Sequence, residues 1–437
     1  MTECSGNRQI AICVPDNCGR LIGKRQPAAR LAEARASGMA MPNFHLVTGL
    51  ENKPYSTFAV AGAHTGFRNG ALRPDLESLF KVPGESDIDY YIADAYDGAA
   101  AEVPQAPRSI LKRQLVRLAE AGLAASMASE LEFYLFERSF AALAETDYRD
   151  LRPFYHRHGD NDLFVTSIVD PFLRQIEEDL TAAGLSVDQI QGEGGIGQLE
   201  INVRPSHPLK ACDHHAIFKH VVRMRAFLAG KSVTFMAKPF DESAGSGAHI
   251  HLCLKGADDR PLLVEGQQPR GVAASFIAGI LAHAGDFTFL HAPYANSYRR
   301  LRKGNFTPLN ASWAWDNRTC LVRLTGTGKS ARFEFRLPGA DANPYFAYAG
   351  LIAAGLAGIE GGLALPSPVT GDAGGVDLPP LPRDLTEALA AFRDSPVARD
   401  AFGPDVHHHL TALGEEELDI ERLHVTDWDR RRGFEAA

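Results

Sequence analysis

Four stretches of this chain alternate between ionisable and apolar residues, which is the signature of a strand with one polar and one buried face. Ser126-Met-Ala-Ser-Glu-Leu-Glu-Phe-Tyr-Leu-Phe136 is the clearest of them. Successive side chains of a strand point to opposite faces. Glu130, Glu132 and Tyr134 therefore share one face, and Leu131, Phe133 and Leu135 share the other, which must be core. Two carboxylates then stand side by side on a strand anchored from behind. At ~4 Å, two like charges repel by about 4 kcal/mol at an effective dielectric near 20. A shared proton, cations or water must offset that repulsion. Alone, the stretch fits a solvated polar face, an acid/base carboxylate pair or a metal site.

The pattern recurs three times. Gln198, Glu200 and Asn202 alternate with Leu199, Ile201 and Val203, just after a glycine-rich loop that carries Glu193. His249, His251 and Cys253 alternate with Ile250, Leu252 and Leu254. Arg332, Glu334 and Arg336 alternate with Phe333, Phe335 and Leu337. If these strands meet in one sheet, Glu130, Glu132, Glu193, Glu200, Glu334 and His249 supply enough ligands for two divalent cations. Oxygen-rich ligation favours Mg²⁺ or Mn²⁺ over zinc. Arg300, Arg318, Arg323, Arg332 and Arg336, with Lys329, suit a polyanionic substrate, because guanidinium groups hold phosphate or carboxylate in bidentate fashion. Cations and arginines, without a Ser–His or Cys–His arrangement, point to phosphoryl transfer by positioning and charge neutralisation.

Composition bounds the class. A chain of 437 residues, 45% hydrophobic and 23% charged, suits a globular protein of two or three domains. The net charge of −9 and the lack of a basic stripe argue against nucleic acid. The apolar stretches are shorter than a membrane span, and the N-terminus lacks a signal-peptide pattern. Six scattered cysteines without a CxxC read as reduced cytoplasmic thiols, although Cys13 and Cys18 flank a turn and could pair.

Residues 1–104 read as a small unit, with strands at Ile10–Val14, near Tyr55–Ala61 and at Asp89–Asp94, and a helix over Pro27–Ser37. Residues 105–437 read as a larger unit, after a linker at Val103–Pro107. Its expected helices are 107–122, Pro171–Ala183, Leu209–Ala229, Val272–His283 and Asn343–Gly358, with a helical C-terminal part. Ser232–Lys238 reads as a strand. Ser139–Asn161, Asn296–Pro308 and Gly361–Pro382 read as loops, and His407–His409 as a solvated run.

Seven motifs in order resemble the glutamine synthetase family: Ser129-Glu-Leu-Glu-Phe, Glu193-Gly-Gly-Ile-Gly-Gln-Leu-Glu, Gly245-Ser-Gly-Ala-His-Ile-His, Asn296-Ser-Tyr-Arg-Arg-Leu, Asn317-Arg-Thr-Cys-Leu-Val-Arg, Arg332-Phe-Glu-Phe-Arg and Asp341-Ala-Asn-Pro-Tyr. The resemblance is good over residues 105–437 and weak over the first hundred. It implies an α+β fold, with an N-terminal β-grasp domain and a catalytic domain whose antiparallel half-barrel is wrapped by helices. It also implies homo-oligomeric rings, commonly dodecamers, with active sites between neighbours. By the same resemblance, Glu132, Glu193 and Glu200 match the ligands of a metal near the substrate L-glutamate. Glu130, His249 and Glu334 match those of a metal on the ATP phosphates. Arg300 matches the arginine that binds the glutamate carboxylate, with Gly245 nearby. Arg318, Arg323 and Arg332 match phosphate-contacting arginines, Arg336 the arginine at the transferred phosphoryl group, and His251 and Lys329 nucleotide-site positions. The implied chemistry is attack of the glutamate γ-carboxylate on ATP, then displacement of phosphate by a nitrogen nucleophile.

The chain departs from the family where ammonium is handled. Members that use ammonia carry Gly-Tyr-Glu-Ala-Pro where this sequence has Gly304-Asn-Phe-Thr-Pro308, so Phe306 stands in place of a glutamate. The N-terminal Asp-Gly-Ser-Ser segment is replaced by His64-Thr-Gly-Phe-Arg-Asn-Gly70, without a matching aspartate. Ala244 and Cys253 stand where asparagine and serine are common. A phenyl ring removes charge complementarity for NH₄⁺ and offers apolar surface, worth ~0.8 kcal/mol per buried CH₂. The sequence therefore predicts a γ-glutamyl amine ligase, similar to γ-glutamylpolyamine and γ-glutamylethanolamide synthetases. The alternatives are a glutamine synthetase using ammonia and a non-catalytic relative. The base that deprotonates the amine is unassigned, with His64 a candidate.

Overall fold

Leu123–Phe136 is the axis of the larger of two main sheets in the computed structural model, which describes residues 8–55, 57–98, 101–264, 266–304 and 306–436. Cys4 lies outside these residues. The sheet runs in the order Val187–Gly192, Gln198–Val203, Leu123–Phe136, Ala248–Gly256, Arg332–Phe335, Val322–Thr325, Trp313–Trp315, and Ser232–Thr234 also pairs with the axial strand. Every pairing is antiparallel except that of the last two strands in this order. The four alternating stretches thus share one sheet, as the sequence pattern requires.

Their apolar faces are the core. Leu131, Phe133, Leu135, Leu199 and Ile201 pack against Val169, Phe172 and Ile176 of helix Leu163–Ala182 and against Phe218 and Val222 of helix Pro208–Leu228. Ile250, Leu252, Phe333, Phe335 and Leu337 pack on helices Pro107–Glu120, Gly271–Ala282 and Pro344–Glu360. Each such side chain contributes roughly 1.5–3 kcal/mol when fully buried. The sheet is therefore held from behind, leaving its polar face to the cleft.

The β-grasp sheet precedes it. Its order is Leu21–Pro27, Gln9–Pro15, Ile88–Asp97, Asn69–Pro74, Met39–Pro42, with Ala101–Glu102 added to the third strand. Gln9–Pro15 and Ile88–Asp97 run parallel. Ala11, Cys13 and Ile92 join the core behind the larger sheet, while Ile10, Ile12 and Val14 close the unit's own core. Arg108, buried at the start of helix Pro107–Glu120, ties the two together through Asp75 and Asp94 on one side and Asp213 on the other, at 2.6–2.9 Å.

Several local expectations are corrected. Helix Leu163–Ala182 begins two turns before the expected start at Pro171, which lies inside it. Asp162 caps its first turn by accepting from the Phe164 amide, and the buried stripe from Val165 through Leu180 outweighs the donor that proline lacks. Asn296–Pro308 is not all loop, since Ala295–Arg300 is helical. The strand expected over Ser232–Lys238 ends at Thr234. Leu21–Pro27, Met39–Pro42, Asn69–Pro74 and Val187–Gly192 were not expected as strands. His407 and His409 are not solvated. They lie 5% and 4% exposed on helix Pro404–Leu423, the His407 ring stacked on Phe392 and the His409 ring edge-on to Phe58. Burial lowers the His409 imidazole to about 3. Cys13 and Cys18 are free thiols rather than a pair.

No single described helix is long and apolar enough to cross a membrane. Gly271–Ala282 and Ala284–His291, bent by 73°, pass that test only together, by length and composition, and both contribute residues to the core.

Candidate active site

The strand register decides which side chains meet. Glu132 lies opposite Glu200, and Glu130 lies between Asn202 on one side and His249 on the other. Glu334 lies opposite both His251 and Arg323. The polar faces line a cleft of about 1520 Å³ that includes every site residue singled out in the sequence except the candidate base His64.

One side of the cleft holds a tight group. His249 Nδ1 is 3.2 Å from Glu130 Oε1 and 3.5 Å from Glu334 Oε1. One ligand atom from each of Glu130, His249 and Glu334 can be chosen so that all lie within 4.8 Å of one another, a spacing that can hold a metal ion. Arg323 donates to Glu334 Oε2 at 2.8 Å, and Arg336 pairs with Glu334 Oε1. Glu334 is fully buried, and Arg336 with His249 and His251 holds its carboxyl below the usual range against the opposing effect of burial. Arg332 Nε donates to His251 Nδ1 at 3.0 Å. A guanidinium only donates, so His251 Nε2 carries the proton and donates to Glu130 Oε2 at 2.6 Å.

The other side is a crowd of carboxylates. Glu132 Oε2 accepts from Gln198 Nε2 at 3.0 Å and from the Gly247 amide at 2.9 Å. Burial, with Glu193 beside it, nevertheless pushes the Glu132 carboxyl up to about 8. Glu200 is raised well above its ordinary value by burial and by Glu130, Glu132 and Glu193, and burial also raises Glu193. Gln191 and Asn202 donate to Glu193 and Glu200 at 2.9 and 2.8 Å. Glu132, Glu193 and Glu200 are outside the group that meets the 4.8 Å spacing. Their mutual repulsion still fits a site that takes a cation.

Arg300 ends helix Ala295–Arg300 and is 3% exposed. It donates to the carbonyls of Leu337 and Arg336, at 2.8 and 3.2 Å, and to His249 Nε2 at 3.2 Å. Gly245 and Gly247 make room for it. A Cβ at Gly245 would stand 2.6 Å from Arg300 Cγ and 2.7 Å from the Ala237 carbonyl, and one at Gly247 would stand 2.8 Å from Arg300 Nη2. Arg336 donates to the Phe306 carbonyl at 3.3 Å, while its buried Nε–H has no partner among the described residues. A buried orphan donor is costly, and an oxyanion in the cleft would satisfy it. Arg318 and Lys329 line the same cleft.

Phe306 is at the mouth, 66% exposed, with φ +52°. His64 is exposed and does not line this cleft. Sequence reasoning did not single out His158, Asp160, Lys238 and Arg302, which also line it. Their segments show no alternation, and the polar loop before helix Leu163–Ala182 was the only signal for the first two. Arg300, by contrast, was found through its motif although its segment was read as loop.

Comparison with known proteins agrees with this geometry. The profile described as "Glutamine synthetase, catalytic domain" matches residues 104–433. The γ-glutamylethanolamide synthetase GlnA4 of Streptomyces coelicolor is 40% identical over 428 residues, 98% of this chain and 92% of that protein. A glutamate–isopropylamine ligase from Pseudomonas sp is 31% identical over 89% of this chain and 84% of that protein. The glutamine synthetase of Thermus thermophilus is 33% identical, over 83% and 84% respectively. A solved structure described as a GmaS/ADP complex superposes with a TM-score of 0.84 at 26% identity, covering 98% of this chain and 97% of that one. The cleft, the profile and the near full-length relatives together make this chain a member of the glutamine synthetase family.

Proposed function

We propose that this enzyme, an ATP-dependent carbon–nitrogen ligase, joins the γ-carboxylate of L-glutamate to a substituted amine. The observation that carries the choice of amine over ammonia is Phe306 at the cleft mouth, where ammonia-using members carry a glutamate. The similarity to an ethanolamide synthetase and an isopropylamine ligase supports it.

In this reading Arg300 and the backbone at Gly245 bind the glutamate carboxylate. Arg318, Arg323, Arg332, His251 and Lys329 hold the nucleotide phosphates. A γ-carboxylate oxygen attacks the γ-phosphorus, ADP leaves, and γ-glutamyl phosphate forms. Arg336, with its orphan Nε–H, stabilises charge on the transferred phosphoryl group. The amine nitrogen then attacks the acyl carbon, phosphate departs, and the nitrogen loses a proton to give the amide. Arg300, Glu334 and Arg336 are the catalytic residues, Glu334 by holding Arg323 and Arg336 in place as well as by ligation. Phe306 packs on the carbon chain of the amine.

The residues fit two divalent ions, Mg²⁺ or Mn²⁺. Glu130, His249 and Glu334 would hold one and Glu132, Glu193 and Glu200 the other. Such ions neutralise the anions that must meet. If His249 held an ion through Nδ1, its Nε2 would carry the proton and no longer accept from Arg300, which would keep its bonds to the Leu337 and Arg336 carbonyls.

The same reading divides the chain into 1–104 and 105–437, makes it a homo-oligomeric ring, dodecameric by family habit, and places it in the cytoplasm, where free thiols such as Cys13 and Cys18 persist. Its test is phosphate release from ATP with glutamate and a panel of alkyl, hydroxyalkyl, aromatic and diamine substrates. Turnover with at least one amine is expected, and turnover with ammonium alone contradicts it.

A further inference from the structure

A second cavity, of about 270 Å³, lies between the first hairpin of the β-grasp sheet and helix Pro208–Leu228. Arg20, Asn52, His220 and Arg223 line it, beside small and apolar residues. Among the described residues no carboxylate lines it, and none that lines it lines the catalytic cleft.

Its cations are unequally matched. Arg20 is neutralised by Asp16 at 2.7 Å and clamps the loop before Asn52 by donating to the Gly49 and Leu50 carbonyls at 2.7 and 2.6 Å. Arg223 has no such match. Its guanidinium carbon is 5.2 Å from the centre of the Phe235 ring, and it makes no hydrogen bond or ion pair among the described residues. Lys219, one helical turn earlier, sets its ammonium 5.5 Å from the same ring. Burial together with Arg20 lowers the Arg223 guanidinium to about 10, and burial with Arg223 lowers Lys219 to about 7. Asp16 offsets this only in part, because its carboxylate is already paired with Arg20. A guanidinium whose nearest carboxylate is held by another arginine gains when an anion arrives.

We propose that this cavity binds a phosphate group, as inorganic phosphate or a small phosphomonoester, with Arg223 as its main partner. Arg223 and His220 on the helix and Asn52 on the facing loop offer side-chain donors from two segments, while Arg20, its nitrogens already engaged, adds only positive charge. Donors converging from opposite walls suit a tetrahedral oxyanion better than a planar carboxylate. The ion bridges the β-grasp hairpin to the helix whose Phe218 and Val222 back the catalytic sheet. It thereby ties the two units together at a point remote from catalysis.

The test is equilibrium dialysis of the full-length protein with labelled inorganic phosphate. Wild type is expected to show two classes of site. Arg223→Gln should weaken one class by about tenfold or more, the loss of a charge-assisted contact, and Arg332→Gln should weaken only the other. Displacement of the Arg223 class by glycerol 3-phosphate identifies a monoester as ligand, and failure to displace identifies the free ion. Unchanged stoichiometry and affinity in Arg223→Gln overturns the proposal. A wild-type crystal soaked in arsenate gives a reading that does not depend on a variant folding. An anomalous peak within hydrogen-bond distance of Arg223 is expected, and an empty cavity beside an occupied cleft contradicts the assignment. Neither result depends on which amine the enzyme uses.

Discussion

His249 stands directly opposite Glu130 on the neighbouring antiparallel strand, its Nδ1 3.2 Å from the Glu130 carboxylate while its Nε2 accepts from Arg300. One imidazole thus connects a candidate ion site to the arginine assigned to glutamate. Ligation of an ion through Nδ1 would put the imidazole proton on Nε2 and break its bond with Arg300, leaving that arginine held by the Leu337 and Arg336 carbonyls. Mg²⁺ should therefore tighten glutamate binding, by about fivefold or more if the coupling is of ordinary size. Calorimetry of glutamate binding with and without Mg²⁺ measures this, and the effect should vanish in His249→Ala. Equal affinity under both conditions in the wild type rules out the coupling.

The crowded carboxylates give the ion-free protein a pH dependence of definite sign. Folded Glu132 keeps its proton up to about 8, whereas an unfolded glutamate releases it near about 4.3. Between those values the folded state binds more protons, so stability falls as pH rises. The buried histidines, lowered by burial, act in the opposite sense below about 6.5, so the Glu132 contribution is read as a difference. In a chelator, the melting temperature of wild type relative to Glu132→Gln should decline from about pH 5 to about pH 8, and Mg²⁺ should flatten that decline. A difference that rises over that window would count against the raised carboxyl.

Much of this site was legible because alternation fixes both face and anchorage. Glu130, Glu132, Glu200, His249 and Glu334 each sit on a strand backed by leucine, isoleucine or phenylalanine, so the sequence itself marks them as held and pointing one way. Glu193 and Arg300 lie outside strands; the glycine-rich loop and the basic segment marked them as candidates, and the family motifs supplied their roles. The edge strand Val187–Gly192 was not legible, because its residues are mostly polar and partly exposed. Neither was the burial of His407 and His409, since a helix hides alternate positions only once its partners, here Phe392 and Phe58, are known. Pro171 misled for a related reason: a local breaker gives no measure of the tertiary packing that overrides it.

Gly245 is a steric requirement that can be tested alone. The Cβ of Gly245→Ala would press on Arg300 and on the Ala237 carbonyl, so Arg300 must shift. Displacing a substrate-positioning group by a fraction of an ångström to 1 Å can cost on the order of a hundredfold. The KM for glutamate should rise by at least about tenfold on that basis, with the KM for ATP and the circular dichroism spectrum little changed. An unaltered glutamate KM would remove Arg300 from the substrate role.

Arg108 makes a separate prediction about the junction of the two units. It is 1% exposed and faces Asp75, Asp94 and Asp213. Arg108→Ala leaves Asp75 and Asp213 without their cation, although Asp94 keeps Lys112 at 2.7 Å, and should cost about 3–5 kcal/mol of stability. Chemical denaturation measures it. A loss below about 1 kcal/mol would mean that the cluster behaves as a solvated surface pair.

The central claim is that the nucleophile is an amine rather than ammonia, and direct competition tests it best. The enzyme is given ATP, glutamate, ammonium and an amine at equal concentration, with ethanolamine and isopropylamine tried in turn, and the products are separated by mass. The γ-glutamyl amide of at least one amine should dominate over glutamine in the wild type, and Phe306→Glu should shift the ratio toward glutamine. Glutamine as the main product in every mixture, with the ratio unmoved by Phe306→Glu, would contradict the account.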